Sequence, residues 1–423
     1  MKLKKSLVLA AAVAAVVAAP GAFATNGMFD IGFGTKAKGM GGAGVALPQD
    51  ALAAATNPAG MVLVGNRIDA GISLFRPDRA TSISGNTTAA NNIDYDANGD
   101  ESFFIPEFGY NKMISSTMSF GVSVYGNGGM NTSYSRNVTL FGSSPAGINL
   151  TQLFIAPTVA WKLSDTNAIG VSLNIARETV SVQGLENFNS TNYSTNVGSV
   201  TNRGEDSGTG LGLRIGWIGQ VSPNVTLGAT YQTKTNISKF NKYSGTFAEQ
   251  GDIDVPANYA IGLAVKASPK TVVAFDVEKI QYTGVKSISN PLGMLSTGLL
   301  ASNLGNSDGA GFGWQDMTVY KLGVAHQVND KLTVRAGWNY GKQPIPAKET
   351  FFNLLAPAVV EHHLTLGATW NYSKDMEMSA NYMHAFSNEL KGSGSIPAAS
   401  FGNGEANLRM QQTAIGIALG WKM

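Results

Sequence analysis

From residue 67 onward, apolar residues alternate with small or polar residues in one segment after another. A period of two is the pattern of β-strands whose two faces meet different surroundings. It is clearest at Leu211, Leu213 and Ile215, which hold every second position. The pattern predicts fourteen strands, near residues 67–76, 103–112, 116–126, 150–163, 166–184, 208–222, 223–240, 252–267, 269–284, 313–328, 330–343, 359–372, 373–390 and 407–423.

The connections between these strands alternate in length. Short turns are expected near residues 111–112, 164–165, 222–224, 268–269, 329–330 and 373–375. Long polar loops are expected near residues 77–102, 127–149, 185–207, 241–251, 285–312, 344–358 and 391–406. An even number of strands joined in this way is what an outer-membrane barrel requires. The prediction is an all-β fold, a 14-stranded antiparallel transmembrane β-barrel over residues 67–423.

Composition agrees with that prediction. Charged residues make up 14% of the chain, against about a quarter in a soluble domain, and glycine occurs 50 times. No apolar run after residue 24 is long enough for a membrane-spanning helix, so a helical membrane protein is excluded. The chain has no cysteine, which excludes disulfides, and its net charge of +2 indicates no nucleic-acid partner.

Residues 1–24 have the three parts of a secretory signal peptide. Lysines at positions 2, 4 and 5 precede an apolar run from Leu7 to Ala19, and Ala22-Phe23-Ala24 forms a cleavage site. We expect cleavage after Ala24, and export to the outer membrane of a Gram-negative bacterium.

Charged residues within the strands fall on the face opposite to their apolar neighbours. Those positions would face the lumen, because a lysine or arginine facing mid-bilayer lipid costs about 2–4 kcal/mol. The residues are Arg214, Asp276, Glu278, Lys321, Arg335 and Glu377. They could line a polar interior without specific partners, or they could have defined ones.

Residues 25–66 do not alternate. They are rich in glycine and alanine, with a short helix predicted from Pro48 to about Ala55 and ended by Asn57-Pro58. The segment is too short for a core of its own, so we expect it to fill the lumen as a hatch. The alternative is a flexible periplasmic tail.

Several motifs resemble the FadL/TodX (OmpP-like) family of outer-membrane transporters for long-chain fatty acids and aromatic hydrocarbons. The most specific are the Gly-rich run 39–44, Asp50 and the motif 57–61, placed between a signal peptide and a barrel. Weaker similarity continues at residues 121–130, 361–370 and 420–422. The terminal residue departs from the pattern, since such barrels usually end on an aromatic residue and this chain has Met423.

The resemblance implies a hatch and a kink in the third strand that opens the barrel wall sideways. The matching hatch positions are Asn57, Pro58, Ala59 and Gly60. The lateral opening would lie at Gly126, Asn127, Gly128 and Gly129, where glycine permits a bulge. The alternative at these positions is a Gly-rich start to the second extracellular loop.

The implied function is outer-membrane transport of hydrophobic small molecules, most directly long-chain fatty acids, with lateral exit past the hatch. Alternatives are aromatic-hydrocarbon uptake by the same route, or a general porin or surface-binding barrel. Other expected partners are outer-membrane lipid and, during biogenesis, the barrel assembly machinery.

Two loops are unusually apolar, which often marks a binding surface. We hypothesise a capture groove formed by Leu292, Met294, Leu295, Leu299, Leu300, Phe351 and Phe352, together with Leu354 and Leu355. Alternatively, these loops pack on each other over the barrel mouth. A carboxylate ligand would need a cation, for which the candidates are Lys36, Lys38, Arg214, Lys321 and Arg335.

No catalytic or metal-binding pattern is found. The histidines at positions 326, 362, 363 and 384 fit no nucleophile or metal motif. Residues 94–100 resemble half of a calcium loop, but Ile105 stands where a bidentate glutamate belongs. We therefore expect no enzyme activity, cofactor or bound metal.

Overall fold

The computed structural model describes residues 25–295 and 297–423; the expected signal peptide lies outside the described residues. Long β-strands dominate it. In chain order they are β1 (Arg67–Ser84), β2 (Phe103–Met113), β3 (Met118–Asn137), β4 (Pro145–Lys162), β5 (Asn167–Gln183), β6 (Asp206–Ser222), β7 (Val225–Gln232), β8 (Asn258–Ser268), β9 (Thr271–Ile280), β10 (Met317–Gln327), β11 (Leu332–Gly341), β12 (His362–Asn371), β13 (Met376–Leu390) and β14 (Glu405–Lys422).

Each strand pairs antiparallel with the next, and β14 pairs with β1 along its whole length, from Arg67 opposite Lys422 to Ser84 opposite Glu405. The sheet is therefore a closed barrel of 14 strands, which confirms the predicted fold class. Closure matters because lipid offers no hydrogen bonds to the free backbone groups of an open sheet edge.

The two faces of each strand differ as the alternation predicts. In β5 the even-numbered positions are buried, whereas Val171, Leu173 and Ile175 point outward and are exposed. None of the helices in the described part of the chain is long and apolar enough to cross a bilayer.

Some strand ends differ from prediction. β1 continues past residue 76 to Ser84, and β3 and β4 extend so far that the loop expected at 127–149 shrinks to 138–144. β7, in contrast, ends at Gln232 rather than near residue 240. The prediction ended each strand where the alternation of apolar residues stops. The observed strands are longer where backbone pairing continues with a neighbouring strand beyond that point.

The loops contain short elements of their own. Helical turns lie at Ala89–Asn91, Glu186–Phe188, Asn241–Tyr243, Ala248–Gly251, Tyr282–Gly284, Lys286–Ser289, Ala347–Glu349, Phe352–Leu354 and Ala398–Phe401. A short strand, Asn236–Ile237, pairs with β6, and another, Asp94–Asp96, pairs with β1. The calcium-like segment is thus part of the sheet, and the Asn98 side chain ties it to Asp78 at 3.1 Å.

The segment before β1 contains α1 (Thr35–Lys38), 3-10 turns at Ala53–Ala55 and Pro58–Gly60, and α2 (Met61–Val64). The helix expected from Pro48 to Ala55 is therefore wrong, since only its last turn is helical. Asn57-Pro58 does not end a helix but begins one. The Asn57 side chain caps the turn by accepting a hydrogen bond from the Ala59 amide, and proline suits the first helical position.

Candidate functional site

Residues 25–66 lie inside the barrel, where glycines of the wall meet them. A Cβ atom on Gly216 would fall 1.9 Å from Asn57 Oδ1, and one on Gly170 would fall 2.3 Å from the Pro58 carbonyl carbon. Similar close approaches occur at Gly109, Gly228, Gly323 and Gly337. No side chain fits at such distances, so at these glycines the backbone of the wall packs directly against the hatch.

Asn57 fastens the hatch to the wall. Its Nδ2 donates to the carbonyl oxygens of Val45 at 2.8 Å and of Trp217, in β6, at 3.0 Å. Its Oδ1 accepts from the Ala59 amide at 3.1 Å. One buried side chain thus joins two parts of the hatch to the barrel.

The lumenal charges have defined partners. Arg67 of β1 and Lys36 of the hatch both bind Glu377 of β13, the arginine at 2.5 Å. Asp276 of β9 accepts hydrogen bonds from the backbone amides of Gly44 at 2.7 Å and of Val45 at 3.0 Å. Charged side chains of the barrel wall therefore hold the hatch in place through ion pairs and hydrogen bonds.

Every candidate cation for a carboxylate ligand is already engaged by protein groups. Lys36 binds Glu377, Lys38 lies 3.0 Å from Asp30, and Lys321 lies 2.8 Å from Glu278. Arg335 donates to Gln49 at 3.0 Å and to Thr369 at 2.7 Å. Arg214 donates to the Thr56 carbonyl at 3.1 Å and to Gln232 at 2.5 Å, and its Nε has no hydrogen-bond partner among the described residues.

The pairing of β3 is irregular where the lateral opening was expected. Opposite β4 the register shifts between Gly126 and Gly128, so Asn127 is an extra residue. β2 pairs with β3 only as far as Phe108 opposite Val124. Beyond that point the hatch takes over the pairing, with the Gly129 amide donating to the Met28 carbonyl at 2.9 Å. Hatch residues 28–30 therefore lie along the edge of β3 where β2 no longer pairs with it.

A loop residue holds this part of the hatch in place. The Tyr282 hydroxyl accepts from the Met28 amide at 2.9 Å and donates to the Asn26 carbonyl. Its ring contacts Phe29 edge-on, with centroids 6.2 Å apart, and Trp314 at 5.1 Å. Sequence reasoning missed Tyr282, because it belongs to no motif and its partners lie far away in the chain.

The apolar loop residues form a cap over the barrel mouth. Leu292, Leu300, Phe351, Phe352, Leu354 and Leu355 are buried, and Met294 is half-buried. Leu295 and Leu299 form an exposed tip, with 48% and 38% of their surface accessible. The residues of the hypothesised groove therefore divide into an exposed tip and a packed interior.

The lumen beneath the cap is apolar. A cavity there is lined mainly by hydrophobic side chains, including Ile148, Val182, Leu185, Phe247, Phe352 and Leu355. Inward-facing apolar residues continue around the upper wall, among them Phe75, Ile83, Met383, Leu408 and Met410. The interior thus changes from mainly charged and polar side chains at the hatch to mainly apolar side chains above it, with Arg79 and Glu178 as buried charged exceptions.

Residues 11–423 match the family model described as "Outer membrane protein transport protein (OMPP1/FadL/TodX)". The chain belongs to the OMPP1/FadL/TodX family. This confirms the resemblance seen in its motifs. Family members carry hydrophobic compounds across the outer membrane of Gram-negative bacteria, and are transporters or channels rather than enzymes.

Solved structures of family members share the fold. The P. putida toluene transporter TodX matches with a TM-score of 0.69 and 18% identity, over 93% of this chain and 99% of that chain. A Pseudomonas aeruginosa FadL homologue matches with a TM-score of 0.70 and 16% identity, over 94% and 99%. The Ralstonia pickettii toluene transporter TbuX matches with 0.65 and 18%, over 93% and 99%. No curated protein sequence matches the chain significantly.

Proposed function

We propose that this family member takes up small hydrophobic molecules through the apolar cap and upper lumen and releases them sideways into the membrane between β2 and β3. The observation that carries the proposal is the change of the lumen from apolar to polar at the level of the hatch. A hydrophobic solute is stable above that level and is not stable below it. In this proposal residues 1–24 are a signal peptide cleaved near Ala24, residues 25–66 are the hatch, and residues 67–423 form the barrel.

The sideways route requires less disruption than removal of the hatch. Breaking one buried ion pair, such as that of Lys36 with Glu377, costs about 3–5 kcal/mol, and the hatch has several further charged contacts. Residues 28–30, in contrast, close the gap with a few backbone hydrogen bonds and the contact with Tyr282. Each such bond contributes about 0.5–1.5 kcal/mol. Gly126, Asn127, Gly128 and Gly129 border the exit in this proposal.

Neutral cargo fits the interior better than a fatty acid anion does. A buried carboxylate needs a cation, and the candidate cations already bind protein groups. We therefore propose neutral hydrophobic molecules, aromatic hydrocarbons included, as the preferred cargo. Long-chain fatty acids are the second candidate, favoured by Arg214, whose hydrogen-bond partners within residues 25–295 and 297–423 are neutral and whose Nε has none there.

A panel of solutes tests the cargo. Cells that lack their own hydrophobic-compound channels and express this chain are compared with empty-vector cells for uptake of toluene, a long alkane and oleate. We expect faster uptake of toluene and the alkane than of oleate. Equal or greater stimulation of oleate would favour the fatty acid, and swelling of liposomes in small sugars would favour a general porin.

Deleting Asn127 tests the route. The deletion removes the extra residue from β3 and allows regular pairing, whereas Asn127→Ala retains the bulge as a matched control. We expect the deletion to abolish uptake while cargo binding to the purified barrel persists. Undiminished uptake in the deletion variant would exclude lateral exit at this position.

A further inference from the structure

A cavity of about 650 Å³ lies on the outer surface of the barrel wall, near the loop ends of β1, β13 and β14. In β1, Arg79 and Thr81 are buried toward the lumen, so Ala80 between them faces outward. The volume is within the range that holds a small organic molecule. This cavity is termed the outer groove, and its lining includes Asp78, Ala80, Ser82, Asp94, Asp96, Glu389 and Arg409.

A row of residues across four strands shapes the outer groove. Ala80 of β1 stands opposite Asp96 of the short strand Asp94–Asp96 on one side and opposite Arg409 of β14 on the other. Glu389 of β13 stands opposite Arg409 in turn. The small alanine thus lies between longer charged side chains, which form the two sides of the groove.

Three charged side chains of the outer groove are unpaired within residues 25–295 and 297–423. Glu389 and Arg409 are directly opposite in the strand register, where opposite charges attract, yet they form no ion pair with each other or with any other described residue. The Asp94 carboxylate also has no hydrogen bond or ion pair there. Asp96, in contrast, accepts from Asn98 Nδ2 at 2.7 Å. The groove therefore offers a ligand one free guanidinium and two free carboxylates.

The carboxylates are spread along the outer groove and do not converge on one point. No group of acidic or histidine side chains in the described part of the chain could hold a metal ion. Asp94 and Asp96 are about 7 Å apart along their strand, and Glu389 lies three strand spacings from Asp96, or about 14 Å. Separated acceptors suit a ligand with several hydroxyl groups, and a guanidinium suits a phosphate or carboxylate on the same ligand.

The outer groove lies beyond the lipid-facing band, at the end of the barrel that carries the long loops. The band ends where Leu74 of β1 pairs with Ile415, whose side chain is 56% exposed. From residue 74 to residue 80 the strand advances about 20 Å along its axis, or about 15 Å in height at the usual tilt of barrel strands. Phospholipid head groups occupy only about 5–8 Å beyond the hydrocarbon. A membrane lipid therefore needs a larger head group to reach the groove.

We propose that the outer groove binds the phosphorylated oligosaccharide head group of an outer-leaflet glycolipid. Sugar hydroxyls donate hydrogen bonds to the carboxylates of Asp94 and Glu389, and an acidic group of the sugar chain accepts from Arg409. The acyl chains of the same lipid lie lower on the wall, against the exposed side chains of Ile415 and Ile417. The site is separate from the proposed uptake function, because its residues face away from the lumen.

A lipid series tests the site on the unmodified chain. Native mass spectrometry of the full chain in detergent micelles measures the affinity for lipopolysaccharide with a complete core oligosaccharide, for lipid A without core sugars, and for phosphatidylethanolamine. We expect the core-bearing lipid to bind at least about tenfold more tightly than either of the others, because only its head group reaches the charged side chains. Equal or tighter binding of lipid A or of phosphatidylethanolamine would overturn the proposal.

Two arginine variants locate the site. Arg409→Gln removes the free guanidinium, and we expect it to weaken binding of the core-bearing lipid by at least about fivefold while binding of lipid A without core sugars stays the same. Arg177→Gln is the matched control, since Arg177 is an exposed, outward-facing arginine of β5 that does not line the outer groove. We expect its affinity for the core-bearing lipid to equal that of the parent. Unchanged affinity in Arg409→Gln, or an equal loss in Arg177→Gln, would overturn the assignment.

A carboxylate variant tests the other side of the outer groove. Asp94→Asn keeps the size of the side chain but weakens its hydrogen bonds to hydroxyl groups, and we expect the affinity for the core-bearing lipid to fall by about threefold or more. Unchanged affinity would exclude Asp94 from the site. The heat-dependent mobility shift on gels checks that each variant is folded, and if a variant does not fold, the lipid series on the unmodified chain still decides.

Discussion

Replacing Tyr282 with phenylalanine should release hatch residues 28–30 from the edge of β3, where β2 no longer pairs with that strand. The substitution keeps the ring between Phe29 and Trp314 but removes the hydroxyl that bonds the Met28 amide and the Asn26 carbonyl. An unpaired buried donor costs about 1–3 kcal/mol, and the second bond is lost as well. A loss of one to two kcal/mol changes a population ratio by a factor of about 5–30.

Thiol labelling measures this release directly, because the natural chain has no cysteine. Met28→Cys places one thiol on the fully buried segment, and its maleimide labelling rate reports how often the segment detaches. We expect Tyr282→Phe to raise that rate by about 5–30-fold in membranes.

Tyr243→Phe is the matched control. Tyr243 is also fully buried, and its hydroxyl donates to the Gly204 carbonyl at 2.6 Å and lies 3.3 Å from the carbonyl of Val182, near the end of β5. We expect no change in the labelling rate of the Met28→Cys thiol. Equal rates in the parent and Tyr282→Phe, or equal acceleration by Tyr243→Phe, would refute the role assigned to Tyr282.

Three further variants probe the packing of the hatch against the wall and the exposed loop tip at Leu295 and Leu299. Gly216→Ala puts a Cβ atom 1.9 Å from Asn57 Oδ1 and should lower the temperature at which the barrel unfolds, measured as the heat-dependent shift of its mobility on gels. Gly284→Ala, whose Cβ atom would meet open space, should leave that temperature unchanged. Asn57→Ala removes a helix cap worth about 0.5–2 kcal/mol and should lower that temperature too; an unaltered shift would contradict the fastening role. Serine at both Leu295 and Leu299 should slow uptake while the mobility shift stays unchanged, and wild-type uptake would remove the exposed tip from the capture step.

The fold could be predicted from the sequence because a barrel wall separates lipid from lumen at every strand. That separation gives Leu211, Leu213 and Ile215 their regular spacing, and it places Arg214 and Glu377 in the lumen. The ends of strands beyond the membrane could not be predicted, because lipid no longer selects apolar residues there. Where such a strand ends depends only on how far its backbone pairs with the neighbouring strand.

The site was predictable only in part. The motif at residues 57–60 is continuous in sequence, so its resemblance to the family located the residues that contact β5 and β6. Tyr282 gave no such signal, because its significance depends on which distant residues the barrel brings beside it. The tyrosine looks ordinary in the sequence until the Met28 amide is placed next to its hydroxyl.

The cluster of Lys36, Arg67 and Glu377 links closure of the barrel to the position of the hatch. Its members come from the hatch, β1 and β13, and the last two reach each other across β14, where Gly420 has no side chain to separate Asp69 from Glu377. The complete cluster therefore exists only when β14 has joined both neighbours and the hatch is inside. A barrel that closed without the hatch inside would leave Glu377 without its contact to Lys36. The same charges that stabilise the native structure therefore destabilise a barrel that lacks its hatch.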